Sequence, residues 1–264
     1  MSEEIKTGLA SENCHWYTKQ GEPAYEVPRS KGDGTRPTTL ADARKLGLVP
    51  SVTMILGCAA KPGLEAWKAK TLLEAALTLP RQQGETLDDY AARIIEDSKA
   101  QGRKAAERGT DLHKAIELYI SNPHSKQFPD GCFQWKEHLK KLEATLKQYG
   151  IDLFEGKPEH SFASSMGFGG KLDWHNDGAI IDFKTKANLS AKQLAYPEHC
   201  WQLAAYESGL TDAQRKTINV FIGIDDCEVR IHEWTSYDQE QGWLAFTYLL
   251  KFWQITKNYN GKTP

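Results

Sequence analysis

The stretch 170–186, GKLDWHNDGAIIDFKTK, constrains the fold of this chain more than any other. Two alternating segments flank Asp177-Gly178. That dipeptide favours a two-residue hairpin turn, because type I′ geometry needs φ > 0 at both central positions. Such a turn sets a register in which Asn176 pairs with Ala179, Trp174 with Ile181 and Asp173 with Asp182. Two carboxylates then oppose each other on one sheet face, and Lys184 shares that face two residues further on. Like charges opposed across a ladder destabilise it, and a divalent cation between them would offset that. The competing reading is a pair of surface aspartates near a polar turn, with Lys184 an exposed strand lysine.

The rest of the pattern says what surrounds this hairpin. A chain of 264 residues suffices for one large domain. No clean linker or internal repeat divides it, so residues 1–264 are expected to form a single domain. Residues 1–49 read as an irregular extension. It holds a small hairpin of Trp16-Tyr17 and Tyr25-Glu26-Val27 around Gln20-Gly21, a loop over 30–37 and a short helix over 40–46. Residues 50–157 read as helical. Ser51 caps a helix over 52–56, and Pro62 opens one that runs to Leu79. Thr86 with Asp89 opens a long pattern over 87–120, which Gly102 and Gly109 divide in two. Residues 133–149 repeat at helical spacing. From Pro158 the period changes, and 158–264 reads as a sheet with helices. The strands are 159–163, 168–174 and 179–185, followed by a helix over 199–208. A second hairpin, 217–224 with 228–234, turns at Asp225-Asp226, and an amphipathic helix over 237–257 carries Trp243, Phe246, Leu250 and Trp253. A helical half followed by βββαββα predicts an α/β or α+β fold, with a mixed central sheet flanked by helices.

The net charge of −2 places any nucleic-acid contact on a local basic patch. Arg93, Lys99, Arg103, Lys104, Arg108 and Lys114 lie along one helical region, after Lys61, Lys68, Lys70 and Arg81. Interleaved Glu and Asp make a solvated helix surface the competing reading. Trp67, Tyr90 and Trp135 either stack on unpaired bases or fill the core. The five cysteines (Cys14, Cys58, Cys132, Cys200, Cys227) are scattered and form no CxxC pair. Neither a zinc ribbon nor an iron–sulfur cluster is indicated, and thiols in a reducing compartment are expected. The N-terminal MSEEIKTG has no apolar leader, and no run approaches the roughly 20 apolar residues that span a bilayer. The expectation is a soluble cytoplasmic protein without a membrane partner. No P-loop, GxSxG or HExxH is present, and GFGG at 167–170 reads as a glycine cluster opening a strand.

An aspartate pair followed by Asp-Phe-Lys has the spacing of metal-dependent phosphodiester hydrolysis. Mg²⁺ or Mn²⁺, one ion or two, takes hard oxygen ligands, so Asp173, Asp182 and the backbone carbonyl of Phe183 are candidates. Lys184 would stabilise developing charge, and Lys186 would contact a phosphate. Lys171 opposes Lys184 in this register, with no evident role. Glu159 either binds metal, directly or through water, or is solvated at the start of a strand. His113, in GTDLHKAIELYI, is either a structural helix histidine or a further ligand, with Glu117 one turn on as its partner. Gln202 and Tyr206 share a helix face at i, i+4. They either engage the lysine, a phosphate or a base, or are ordinary helix polarity and a core tyrosine.

Together these residues resemble the PD-(D/E)XK nuclease superfamily, in its RecB-like and phage-exonuclease branch. The pattern is His113 on a helix, Glu159, GGKLD ending in Asp173, IIDFKTK with Asp182 and Lys184, and QLAAY with Gln202 and Tyr206. The opening PSVTMIL…KPGLEAWK also looks like phage-encoded and mitochondrial-type exonucleases of this branch, and the match runs from about Pro50 onward. The resemblance implies a restriction-endonuclease-like αβββαβ core, with metal held by His113, Asp173, Asp182 and the Phe183 carbonyl. It implies Lys184 as the catalytic lysine, Gln202 and Tyr206 as an accessory motif, and an arch from 50–157 over single-stranded DNA. The activity it implies is metal-dependent DNA exonuclease action on single strands or duplex ends, in phage or prophage recombination or DNA processing. A structure-specific endonuclease on the same core and a non-catalytic DNA-binding subunit are the alternatives. A recombinase or single-strand-binding partner follows from the habit of such nucleases and from no residue of this chain, and oligomeric state stays open. The four-cysteine iron–sulfur cluster of several relatives has no counterpart here.

Overall fold

A computed structural model describes residues 15–122, 128–210 and 215–261. Cys14 and the MSEEIKTG segment lie outside the described residues.

β1 (Trp16–Tyr17), β2 (Glu26–Pro28) and β3 (Thr35–Pro37) precede α1 (Leu40–Leu46) and β4 (Val49–Pro50). A tight hairpin forms around Gln20-Gly21, with Tyr17 bridged to Pro23 and the Ala24 N–H on the Trp16 carbonyl at 2.7 Å, but its return strand stops short of Tyr25–Val27. β1 pairs with β4 and β2 with β3, so the predicted loop over 30–37 ends in a strand. The cause is burial of Trp16, which is 1% exposed and packs edge-on against Trp253 and Tyr259. That contact draws β1 toward the core, beside β4.

α2 (Val52–Leu56) is capped by Ser51, whose Oγ accepts the Met54 N–H at 3.0 Å. α3 (Pro62–Thr78) and α4 (Leu87–Ser121) follow, and Thr86 caps α4 by accepting the Asp89 N–H at 3.1 Å. α4 runs unbroken for 35 residues, so Gly102 and Gly109 do not divide it. A helical glycine costs roughly 1 kcal/mol against alanine, which packing can outweigh. At Gly109 a Cβ would lie 2.7 Å from Thr185 Oγ1, so the glycine lets α4 lie close against the sheet. A 3₁₀ turn (Phe133–Trp135) leads into α5 (Lys136–Gln148), so the predicted 133–149 helix starts one turn late.

β5 (Lys157–Ser164), β6 (Phe168–His175), β7 (Ala179–Lys186), α6 (Pro197–Gly209), β8 (Lys216–Gly223), β9 (Val229–Glu233) and α7 (Ser236–Lys257) complete the chain. The strands form one sheet in the order β5-β6-β7-β8-β9, parallel at β7–β8 and antiparallel elsewhere. α6 is the crossover that a parallel pair requires. One apolar cluster joins α4 and α5 to Ile181 and Phe183, and the other joins α2, α6 and α7 to Ile180 and Leu172. The result is a mixed α/β fold, a central mixed sheet flanked by helices on both faces. Among the described residues no helix is long and apolar enough to cross a membrane.

Candidate active site

The β6–β7 hairpin keeps its expected register near the turn. Trp174 pairs with Ile181 and His175 with Ile180, and the Asn176 N–H reaches the Ala179 carbonyl at 3.0 Å. The turn itself is not type I′, since neither Asp177 nor Gly178 adopts a positive φ. The Asn176 side chain closes it instead, its Oδ1 accepting from the Gly178 and Ala179 N–H groups at 2.9 and 2.8 Å. Asparagine does this readily, because its short side chain mimics a turn of backbone.

Beyond Trp174 the two strands part, so Asp173 and Asp182 are not ladder partners as expected. Leu172 packs on the α6–α7 side of the sheet, while Trp174, two residues on, packs on the α4–α5 side. In a regular strand such residues share a face, so β6 turns over at Asp173. Its neighbour strand is irregular at the same level, where Glu159 takes φ 55°. Non-glycine residues held in that region carry local strain and cluster at functional sites. The Asp173 carboxylate spans the gap and accepts the Phe183 N–H at 2.8 Å.

Asp182 and Lys184 point from β7 toward α6. Lys184 Nζ donates to Asp182 Oδ1 at 3.0 Å and to Gln202 Oε1 at 3.0 Å. Gln202 Nε2 in turn donates to the Tyr206 hydroxyl at 2.9 Å. The expected i, i+4 face of α6 thus engages the lysine directly. Gly170 lets Tyr206 approach, since a Cβ there would lie 2.8 Å from its ring. Across the sheet, α4 brings His113 Nδ1 to 3.5 Å from Asp173 Oδ2, with its ring edge-on to Phe183.

The charges are strongly coupled. Burial opposes the charged form of His113, but the Asp173 and Asp182 carboxylates outweigh it and raise its pKa. Burial works against Asp173 as well, yet His113 and Lys184 hold its carboxyl below the usual range. For Asp182, burial and the charge of Asp173 prevail over Lys184 and raise the carboxyl. Two carboxylates and an imidazole are a donor set that suits Mn²⁺ better than Mg²⁺, which takes the carboxylate oxygens, and a cation would relieve the buried Asp182. The residues present therefore fit such an ion in their chemistry. Among the described residues, no three His, Cys, Asp or Glu side chains converge closely enough to hold a metal ion as they stand.

Glu159 and Lys171 form an ion pair at the edge of this group. Burial raises the Glu159 carboxyl, with the charges of Asp173 and Glu117 adding to it against Lys171. Lys171 does not oppose Lys184, because the β6–β7 ladder ends at the Trp174–Ile181 pair. Glu117 acts on Glu159 and Lys171 through its charge.

Asn219 escaped the sequence reading. It is fully buried on β8, donates to Asp182 Oδ2 at 2.7 Å and accepts the Trp234 indole N–H at 2.8 Å. Its signal was a single polar side chain inside the otherwise apolar run INVFIGI, which a buried strand tolerates only with partners.

Beside Lys184 opens a cleft of about 540 Å³, whose walls include Lys61, Trp67, Lys186, Tyr196 and His199. Burial and the neighbouring Lys184 and Lys186 charges push His199 down to about 3, so it is neutral there. Half of the basic stripe on α4 is paired, Arg93 with Glu85, Arg103 with Glu96 and Arg108 with Asp225. Trp135 is core, and the Tyr90 hydroxyl is tied to the Ala76 carbonyl at 2.9 Å. Trp67 is the one of the three that faces the cleft.

No protein-family model and no curated protein matches this chain. The crystal structure of SSO0001 is similar to it at a TM-score of 0.26 and 20% identity, over 70% of this chain and 86% of that one. A likeness of that order carries no argument about fold or activity.

Proposed function

We propose that this chain is a metal-dependent deoxyribonuclease on a restriction-endonuclease-like core, acting on DNA ends as an exonuclease. The observation that carries the reading is the set Asp173, Asp182, Lys184, Gln202 and Tyr206, of which Lys184 and Gln202 line a basic, aromatic-lined cleft. Asp173, Asp182, His113 and the Phe183 carbonyl would hold Mg²⁺ or Mn²⁺, which when bound polarises a phosphate and acidifies a water. Asn219 orients the Asp182 carboxylate through its 2.7 Å bond. Lys184, steadied by Asp182 and Gln202, is aimed to offset the negative charge that develops on phosphate oxygens. Lys61 and Lys186 suit backbone phosphates, and Trp67 and Tyr196 offer flat faces to unpaired bases. That combination favours single-stranded substrate. Glu159, tied to Lys171, borders the site. Action at ends, and a recombination or DNA-processing setting with a recombinase or single-strand-binding partner, rest on the resemblance of the motifs.

The test uses end-labelled linear single- and double-stranded DNA and a closed circle, each with Mg²⁺, Mn²⁺ or EDTA. Metal-dependent loss of linear DNA alone, faster on single strands, supports the proposal. Cutting of the circle replaces it with an endonuclease, and binding without cleavage replaces it with a non-catalytic subunit.

A further inference from the structure

α7 has two apolar faces. Gly242, Phe246, Leu250 and Trp253 are buried against the body of the protein. The opposite side exposes Tyr237, Leu244, Tyr248, Phe252 and Ile255 at 69, 47, 70, 54 and 67%. Single exposed hydrophobics are ordinary, but these five follow the i, i+4, i+7 spacing of one continuous stripe. They expose on the order of 500 Å² of apolar surface, the range that marks interaction sites.

The stripe is nearly a palindrome about Phe246. Tyr237 and Ile255 lie nine residues to either side of it, and Leu244 and Tyr248 two residues to either side. Glu240 stands six residues before Phe246 and Lys251 five after, and both are exposed along one margin of the stripe. In an antiparallel pair of α7 helices related by a two-fold axis at Phe246, Tyr237 meets Ile255 and Leu244 meets Tyr248, while Phe252 lies over the stem of Glu240. Each Glu240 then comes within one residue of the partner's Lys251. With the stems of Glu240, Gln241 and Lys251 included, the contact approaches the roughly 800 Å² per partner of a standard interface.

We propose that α7 is the interface of a homodimer, in which two copies of this chain pair antiparallel through the Tyr237–Ile255 stripe. The pairing is isologous, so each substitution acts at two symmetric places. It is independent of the nuclease reading, because it uses no residue of the active site.

Sedimentation equilibrium on the purified full chain tests it. The wild type should have twice the 29.7 kDa chain mass. Tyr248→Glu should sediment as a monomer with an unchanged circular dichroism spectrum. Glu240→Lys and Lys251→Glu should each raise the dimer dissociation constant by roughly three- to tenfold, and the double reversal should restore it, because the charges only exchange places. The double reversal alters no apolar contact, so its rescue separates pairing from folding. A wild-type monomer at all concentrations, or a dimer indifferent to Tyr248→Glu, would overturn the proposal. Failure of the double reversal to rescue would overturn the antiparallel register.

Discussion

Gln202 holds Lys184 from one side and Tyr206 from the other. Its Oε1 accepts from Lys184 Nζ at 3.0 Å, and its Nε2 donates to the Tyr206 hydroxyl at 2.9 Å. Both ends of the amide are used, which fixes its orientation and leaves Lys184 suspended between Gln202 and Asp182. Gln202→Leu removes both bonds at nearly constant volume. The expected result is a roughly 10- to 100-fold loss in the single-turnover rate of DNA cleavage, with little change in KM, because a positioning contact acts on the reacting geometry. Lys184→Ala should abolish cleavage. Equal rates for Gln202→Leu and wild type would remove the glutamine from the mechanism.

Asn219 is a second support, reached from the other side of Asp182. Asn219→Leu leaves the Trp234 indole N–H without its acceptor and Asp182 Oδ2 with Lys184 at 2.8 Å in place of two partners. An unsatisfied buried group costs about 1–3 kcal/mol, so urea unfolding should report a loss of roughly that size, together with slower cleavage. Trp234→Phe removes the indole donor alone. It should lower stability by about 1 kcal/mol and slow cleavage less than Asn219→Leu does.

Two glycines on α4 should respond to the same substitution with opposite signs. Gly102→Ala places a Cβ at 3.5 Å from the Trp67 ring, an ordinary contact. It should stabilise the protein by about 0.5–1 kcal/mol through helix propensity. Gly109→Ala drives a Cβ to 2.7 Å from Thr185 Oγ1 and must push the helix off the sheet. His113 lies one turn further along and moves with it. A net destabilisation of about 1–2 kcal/mol is expected, with a higher Mg²⁺ requirement for cleavage. Thermal melts and a metal titration of both variants decide it.

Acid should destabilise the fold through two histidines. Burial first, then neighbouring positive groups, push His175 from 6.5 down to about 4 and His199 down to about 3. Both are depressed on folding, so their unfolded forms take up protons first. Their stabilisation is complete above pH 6.5 and drains away as pH falls through 4 toward 3. Asp182 and Glu159 act in the opposite sense, since burial raises their carboxyls. The wild-type profile is therefore a mixture, and His199→Gln isolates the histidine part. Urea unfolding at pH 7, 5.5 and 4 should give that variant the shallower acid decline; parallel curves would show that His199 contributes nothing.

Sequence alone determined what local periodicity and cap chemistry can reach. The change from helical to alternating spacing near Pro158, the Ser51 and Thr86 caps, and the Trp174–Ile181 register all follow from side-chain pattern. The i, i+4 pairing of Gln202 with Tyr206 is likewise a property of any helix that carries them. Tertiary structure decided the rest. The turnover of β6 at Asp173 depends on which cluster Leu172 and Trp174 enter, and alternation in sequence gives no sign of it. Asn219 reaches Asp182 only because β8 pairs in parallel with β7 across a long connection. Trp16 packs its ring on Trp253, and Gly109 matters through Thr185, a residue from a distant strand. Local propensity acts over a few residues, whereas these contacts exist only once burial has brought remote segments together.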